Sequence, residues 1–393
     1  MSAAGPSDPP DPPDPPGSAV ARPGGSDPIR VTPLELFFDL IFAFTLTQLA
    51  SVLARAVTGP NVVRVLLIFG LLWWMYGGYA WLTNTRSPVR TPERLLLVLG
   101  MAGFLIAGLA IPAGFGRDGL AFGLGYLLVV VVHAALYLRV NRAILLVAPF
   151  NLASAGLVIA AGFTTGPADY ALWTAALLIQ AGSPLVVRVR GRFEIRPAHF
   201  AERHGALIIV AIGESVAAIG IGAGRSGQAL GIRLVIAAVL GLALSVTLWW
   251  LYFGTGDDER GESAMRAADA ELRPQLALAG YFYAHMPMLL GIVFAAAGVA
   301  AAVSHGARAS AQAAISLGFG AAAFVAGTAG FRAALRTGPL RLRLATAAFA
   351  LAVVPLGALV AIEAQLAVTT AGIAVMLIAE RPGPAGEPLP AGE

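Results

Sequence analysis

The feature that most constrains this chain is a series of apolar runs, each close to the ~20 residues that an α-helix needs to cross a bilayer. We count twelve such runs, with ten or eleven as the alternatives because the last two meet tightly around Gly357 to Glu363. The predicted fold class is an all-α polytopic membrane protein with about twelve transmembrane helices. The runs begin near Leu34, Val62, Arg94, Gly119, Ala143, Asp169, His199, Gly231, Pro274, Ala311, Leu340 and Glu363.

Composition supports a membrane protein and excludes several classes of function. Hydrophobic residues make up 58% of the chain and charged residues 12%, against about 25% charged in water-soluble proteins. The absence of cysteine excludes disulfides, thiolate metal sites and cysteine nucleophiles. The net charge of +4 comes from arginines scattered between apolar runs, so we interpret them as topology signals and expect no nucleic-acid partner.

Arginine placement predicts the orientation of the chain. If the N-terminus is cytoplasmic, most of the 26 basic residues fall in cytoplasmic segments, as the positive-inside rule requires. We therefore expect a multi-pass protein of the bacterial inner membrane with both termini cytoplasmic. The segments 1–30 and 381–393 are rich in proline and are predicted to be disordered tails.

The two halves of the chain resemble each other. The second run ends in "WWMYGG" (73–78) and the eighth in "WWLYFG" (249–254), where tryptophans are typical of an aromatic belt at the membrane interface. Six spans return a chain to its starting side. We therefore predict two parallel six-helix repeats, 31–190 and 191–380, with any substrate path at their interface.

The first run carries two acidic residues with different expected roles. In "TPLE", Thr32 is the expected N-cap and Glu35 completes a capping box, although Glu35 is also a candidate for the mouth of a path. Asp39 lies one turn deeper, by about 6 Å, where the cap cannot use it. A charge there costs about 2.5 to 3.5 kcal/mol, so Asp39 must face protein or water and is predicted to be functional. Gln48 adds a polar group on another face of this helix.

A second polar stretch is "HFAERHGALIIVAIGESVAAIG". Glu202 sits at the predicted cytoplasmic start of its helix, where it either anchors the helix or belongs to the path. Glu214 lies about 18 Å further along the axis, near the bilayer centre, which makes it a strong candidate for an ion or solute path. Ser215 beside it is included in the predicted path.

The histidines give weaker signals. His285 precedes Pro287 by two residues, so it either satisfies the backbone carbonyl that the proline frees or takes part in a site. His199 and Glu202 share a helical face, whereas His204 points elsewhere. The sequence therefore predicts no metal site, and we expect no cofactor.

The stretches "TPLELFFDLIFAFTLTQLA" and "HFAERHGALIIVAIGESVAAIG" resemble the bacterial low temperature requirement A (LtrA) family. The segments "WWLYF" and "YFYAHMPMLLGIV" add support, and the similarity covers most of residues 30 to 380. The resemblance implies a polytopic inner-membrane protein associated with growth in the cold, without an established biochemical activity.

The positions of the polar residues favour transport. The candidates lie inside the membrane or at its mouth, and the loop sequences contain no sizeable soluble domain, phosphate-binding glycine motif or nucleophile elbow. We predict a transporter or channel for a small ion or polar solute. Asp39, near an aqueous mouth, would attract a cation, and Glu214 would alternate between protonated and ionised states.

The alternative is a membrane enzyme that acts on a lipid or isoprenoid carrier. The substrate and the oligomeric state stay open.

Overall fold

The computed structural model describes residues 31–86, 88–142, 144–187, 195–226, 231–305 and 311–380, without the side chains of 185–187, 225–226 and 305. The two expected tails and Arg188, Arg190 and Arg192 lie outside these residues. The helices are α1 (Pro33–Arg55), α2 (Gly59–Thr85), α3 (Thr91–Ala110), α4 (Gly119–Leu138), α5 (Ile144–Ala161), α6 (Pro167–Val187), α7 (Pro197–Ser226), α8 (Ile232–Phe253), α9 (Asp257–Ala267), α10 (Arg273–Leu276), α11 (His285–His305), α12 (Ala311–Leu335), α13 (Arg341–Ala352), α14 (Val354–Leu359) and α15 (Ile362–Ala379). A 3₁₀ turn (Ile111–Ala113) follows α3, and a π-helical turn (Ala277–Tyr283) joins α10 to α11.

The described residues form helices and no strands, and eleven of their helical segments are long and apolar enough to cross a bilayer. Four of these segments are composite: α3 with the 3₁₀ turn, α8 with α9, α10 with the π-helical turn and α11, and α13 with α14. The segments match the expected spans except the sixth, because α6 has 21 residues but is not among the eleven. The predicted fold class of an all-α polytopic membrane protein is confirmed.

Helix α1 connects the two halves of the bundle. It packs against α2, α3, α7 and α11. The order of packing in the first half recurs in the second. In the first half α1 packs on α3, α3 on α4 and α4 on α5, whereas in the second α7 packs on α11, α11 on α12 and α12 on α13.

Glycines allow the closest of these helix contacts. A Cβ atom added at Gly103 of α3 would lie 2.8 Å from the carbonyl oxygen of Gly125 in α4. A Cβ atom at Gly291 of α11 would lie 2.6 Å from the backbone nitrogen of Phe324 in α12. The paired helices therefore approach to backbone contact, which is a common way for membrane helices to associate.

The tryptophans only partly form the expected aromatic belt. Trp73 is fully buried, and its indole N–H donates a hydrogen bond to the Phe282 carbonyl at 3.2 Å. The belt interpretation is therefore wrong for Trp73, because α2 is covered by other helices over most of its length. Trp249 and Trp250 are 39% and 45% exposed, as residues of a belt would be.

We call the membrane side on which α1 begins the Glu35 side, and the opposite side the Arg55 side. From Glu35 to Arg55 the helix rises about 30 Å, the thickness of the hydrocarbon core of a bilayer.

Candidate functional site

The start of α1 has the local structure that the sequence predicts. The backbone N–H of Thr32 donates to Glu35 Oε2 at 2.8 Å, and the Thr32 hydroxyl accepts from the Glu35 N–H at 3.3 Å. This reciprocal pair is a capping box, followed by Pro33 at the first helical position. The prediction of a capping role for Glu35 is confirmed, but the same carboxylate also reaches a second helix.

A buried ionic cluster joins α1 to α7, and we name it the Arg203 cluster after its only arginine. Glu35 Oε1 lies 3.2 Å from His199 Nε2 and 3.5 Å from Arg203 Nη1. Asp39 Oδ1 accepts hydrogen bonds from Arg203 Nη2 at 3.2 Å and from the Tyr76 hydroxyl at 2.9 Å. The cluster consists of Glu35, Asp39, His199 and Arg203, each almost completely buried.

The pairing in this cluster follows the positions of the residues in their helices. Glu35 and Asp39 are the third and seventh residues of α1, and His199 and Arg203 are the third and seventh residues of α7. Third pairs with third and seventh with seventh, so the two helices run in the same direction. Corresponding positions of the two helices thus carry complementary acidic and basic groups.

Helix α2 holds the basic side of the cluster in place. The Thr83 hydroxyl accepts a hydrogen bond from Arg203 Nη1. The Asn84 side chain binds the backbone of Arg196, since its Nδ2 donates to the carbonyl at 3.0 Å and its Oδ1 accepts from the N–H at 2.9 Å. This fixes the amide, so that Nδ2 also faces His199 Nδ1 at 3.3 Å.

These contacts set acidic and basic groups against each other in a buried place. Nδ1 of His199 faces the Asn84 amide, and Nε2 faces Glu35. The two carboxylates of Glu35 and Asp39 share the one guanidinium of Arg203. Asp39 Oδ2 is buried without a hydrogen-bond partner among the described residues.

Asp39 faces protein and not water. Asp39 was predicted to lie near an aqueous mouth, but it is 0% exposed, and the cation that it meets is Arg203. Glu202 lies outside the cluster, because its side chain points to solvent and accepts a hydrogen bond from the Val31 N–H at 3.2 Å. The roles of His199 and Arg203 were not predicted from the sequence. The signal for them was the third and seventh positions that they share with the acidic residues of α1.

Glu214 lies in a different place, further along α7, and its side chain is partly exposed. The Thr47 hydroxyl of α1 donates a hydrogen bond to Glu214 Oε2. Both side chains line a cavity between α1, α7 and α11. Its volume of about 50 Å³ has room for a few water molecules. We call it the Glu214 cavity. Ser51 and Ala54 also line it, so it extends toward the Arg55 side.

An apolar layer separates this cavity from the Arg203 cluster. Along α7, Glu214 lies about 17 Å beyond Arg203. Phe42 and Leu46 of α1 and Leu207 of α7 fall between the two levels and are buried. Among the described residues, these buried apolar side chains separate the two polar levels.

Two other expected path residues lie beside the Glu214 cavity without lining it. Ser215 is buried next to Glu214, and Gln48 is half-buried on α1. Neither side chain is brought into the Arg203 cluster.

His285 makes structural hydrogen bonds, but its partner is the Gly280 carbonyl and not the carbonyl four residues before Pro287. Its Nδ1 lies 3.0 Å from the Gly280 carbonyl in the π-helical turn and donates to it. Its Nε2 lies 2.9 Å from the Tyr252 hydroxyl of α8 and accepts from it. Its ring packs against His204, with 5.2 Å between the ring centroids. His285 therefore ties α8 and α7 to α11, next to the Arg203 cluster but not in it.

A second ionic cluster joins α9, α12, α13 and the end of α15. Arg332 binds Asp257 through Nε at 2.9 Å and binds both oxygens of Glu380 at 2.9 and 2.8 Å. Arg343 Nη1 lies 2.7 Å from Asp257, and Nη2 lies 3.1 Å from Glu380. We call these four residues the Arg332 cluster. Its arginines were expected from the sequence to be topology signals only.

The described residues contain no group of three or more histidine, aspartate or glutamate side chains that could hold a metal ion. His204 Nδ1 instead donates to the carbonyl of Phe200 in its own helix at 2.8 Å.

These features define a multi-pass α-helical membrane protein with ionic clusters buried between its helices. Residues 30–379 match the family of the bacterial low temperature requirement A protein (LtrA), and the chain belongs to this family. An uncharacterized protein of Rhizobium meliloti (strain 1021), RA0937, is 28% identical over 301 residues, which are 72% of each chain. The matched residues include the Arg203 cluster and Glu214, and the match confirms the resemblance seen in the sequence.

Proposed function

We propose that the protein is a transporter or channel for a small ion or polar solute, with its path between α1 and α7. The observation that carries the proposal is Glu214, a partly buried ionisable group near the middle of α7, on the wall of a cavity that has room for water. Ionisable residues inside membrane helices are costly, and they commonly mark ion and substrate pathways.

In this proposal the Arg203 cluster closes the path on the Glu35 side. The cluster and the apolar layer of Phe42, Leu46 and Leu207 lie between that side and the Glu214 cavity. Passage requires the paired ends of α1 and α7 to separate. In this proposal Asp39 binds or releases a proton, which changes the strength of its pair with Arg203 and so couples opening to protonation.

We further propose that residues 31–190 and 191–380 are two parallel repeats that meet at α1 and α7. The recurring order of helix packing and the matched third and seventh positions support this division. In transporters built from repeats, the substrate site lies at the repeat interface, where the Glu214 cavity is found. The Glu35 side would face the cytoplasm of a bacterial inner membrane.

The geometry favours transport over the lipid-enzyme alternative. An enzyme of that kind would use Glu35 and His199 as acid and base, and a lipid would have to reach them. Both side chains are buried, and neither lines any of the cavities described in this structure.

An unbiased flux screen tests the proposal. The full-length protein is reconstituted in liposomes and tested with monovalent cations, protons and amino acids. We expect the wild type to carry at least one of them and Glu214→Gln to fall to the level of protein-free liposomes. The control Glu271→Gln changes an exposed carboxylate between α9 and α10 and should keep the wild-type rate. Unchanged rate and pH dependence in Glu214→Gln would refute the role of Glu214.

A further inference from the structure

We infer that the Arg55 side of the bundle carries a binding site for a small organic anion, outside the path proposed above. The site is a cavity of about 220 Å³ between the end of α1, the start of α2 and the 3₁₀ turn after α3. We call it the Arg64 cavity. Its polar lining consists of Arg55, Asn61 and Arg64.

The lining of the Arg64 cavity is positively charged. It contains two guanidinium groups and no carboxylate. Arg55 makes no ion pair or side-chain hydrogen bond that the structure describes, and its place in the last turn of α1 suits the helix dipole without using its N–H donors. Arg64 interacts electrostatically with Asp169 of α6, a buried residue that does not line the cavity. An incoming anion would therefore meet an excess of positive charge.

Arg64 is held in a fixed orientation. Its Nε donates to the Tyr170 hydroxyl at 2.8 Å, and its Nη1 donates to Asn61 Oδ1 at 3.3 Å. The guanidinium also lies 5.5 Å from the ring centre of Phe115 and 5.7 Å from that of Tyr170. Nη2 makes no contact with these partners and remains free to donate. A pre-oriented guanidinium with a free edge suits an oxyanion such as a carboxylate or a phosphate.

The remaining walls are apolar and come from residues such as Val65, Ile111 and Phe115. The volume far exceeds that of one water molecule. The chemical class that fits is therefore an oxyanion with a short apolar part. Two sources offer this chemistry at a membrane surface, a soluble organic acid and the phosphate of an anionic lipid headgroup.

Calorimetric titration of the full-length protein in an uncharged detergent tests the site. The probes are butyrate, its neutral isostere butyramide, and glycerol phosphate as the soluble analogue of a lipid headgroup. The variants are Arg55→Gln, Arg64→Gln and their combination. The control is Arg117→Gln, which removes a charge on the same side from an arginine that is 86% exposed and paired with Asp118.

We expect butyrate to bind the wild type and Arg117→Gln equally, and the combined variant at least about tenfold more weakly, as the loss of a charge-assisted hydrogen bond implies. Butyramide should not bind. If the combined variant does not fold, the exposed Arg55→Gln alone should still weaken binding.

Displacement of butyrate by glycerol phosphate supports the site with a lipid source, and butyrate binding without displacement supports it with a soluble acid. Equal binding of butyramide, unchanged affinity in the arginine variants, or no binding of either anion would overturn the inference.

Discussion

Replacing the arginine of the Arg203 cluster has the most sharply defined consequence. Arg203→Gln removes the cation that lies 3.5 Å from Glu35 and 3.2 Å from Asp39, while both acidic side chains stay buried. Removing one partner of a buried ion pair costs about 3–5 kcal/mol, because it leaves an uncompensated charge in a medium of low dielectric constant. We expect Arg203→Gln to lower the free energy of unfolding by an amount in this range.

A triple variant separates the charge from the packing. Combining Arg203→Gln with Glu35→Gln and Asp39→Asn removes all formal charge and leaves groups of similar size. We expect the triple variant to be more stable than Arg203→Gln alone. The exposed control is Arg266→Gln, which breaks an i,i+4 pair with Glu262 where the arginine is 68% exposed, and it should cost no more than about 0.5 kcal/mol.

The assay is equilibrium unfolding in mixed micelles of maltoside and dodecyl sulfate, followed by the fluorescence of the six tryptophans. A cost below about 1 kcal/mol for Arg203→Gln would match an exposed ion pair. It would refute the burial of the Arg203 cluster. A triple variant less stable than the single variant would show that charge compensation is not what the arginine provides.

Three further predictions use the same unfolding assay. Arg332→Gln should also cost about 3–5 kcal/mol, since it leaves buried acidic partners in the Arg332 cluster, and a loss like that of Arg266→Gln would contradict this. Gly291→Val should cost at least about 1–3 kcal/mol, because its Cβ would lie 2.6 Å from the Phe324 nitrogen; wild-type stability would disprove that close approach. Tyr252→Phe should cost about 1–3 kcal/mol by leaving Nε2 of His285 without its donor, and no change would argue against this hydrogen bond.

The fold was largely predictable because a bilayer fixes the length of an apolar helix. The starts of eleven expected spans correspond to described helical segments that can cross a membrane. The environment of Trp73 could not be predicted, since a sequence gives the depth of a residue along its helix but not the neighbours that cover it. The capping box of Thr32 and Glu35 was predictable because it lies within four consecutive residues.

The site was predictable only in part. Asp39 and Glu214 stand out because a carboxylate in an apolar run needs a compensating environment. Their partners are distant in sequence: Arg203 lies 164 residues from Asp39, and Thr47 lies 167 residues from Glu214. An arginine near a helix end also follows the positive-inside rule, so its sequence position alone cannot distinguish a topology signal from a buried partner.

The absence of cysteine allows the central claim to be tested with single cysteines in an otherwise unchanged chain. Ser51→Cys places a thiol on the wall of the Glu214 cavity, and Thr165→Cys places one at an exposed position on the same membrane side. Both variants are reconstituted, labelled with a bulky charged thiosulfonate, and assayed for the flux found in the screen. If the path runs through the Glu214 cavity, labelling should block flux in Ser51→Cys and leave Thr165→Cys unaffected. Full labelling of Ser51→Cys, verified by mass, with an unchanged flux would contradict the proposed path.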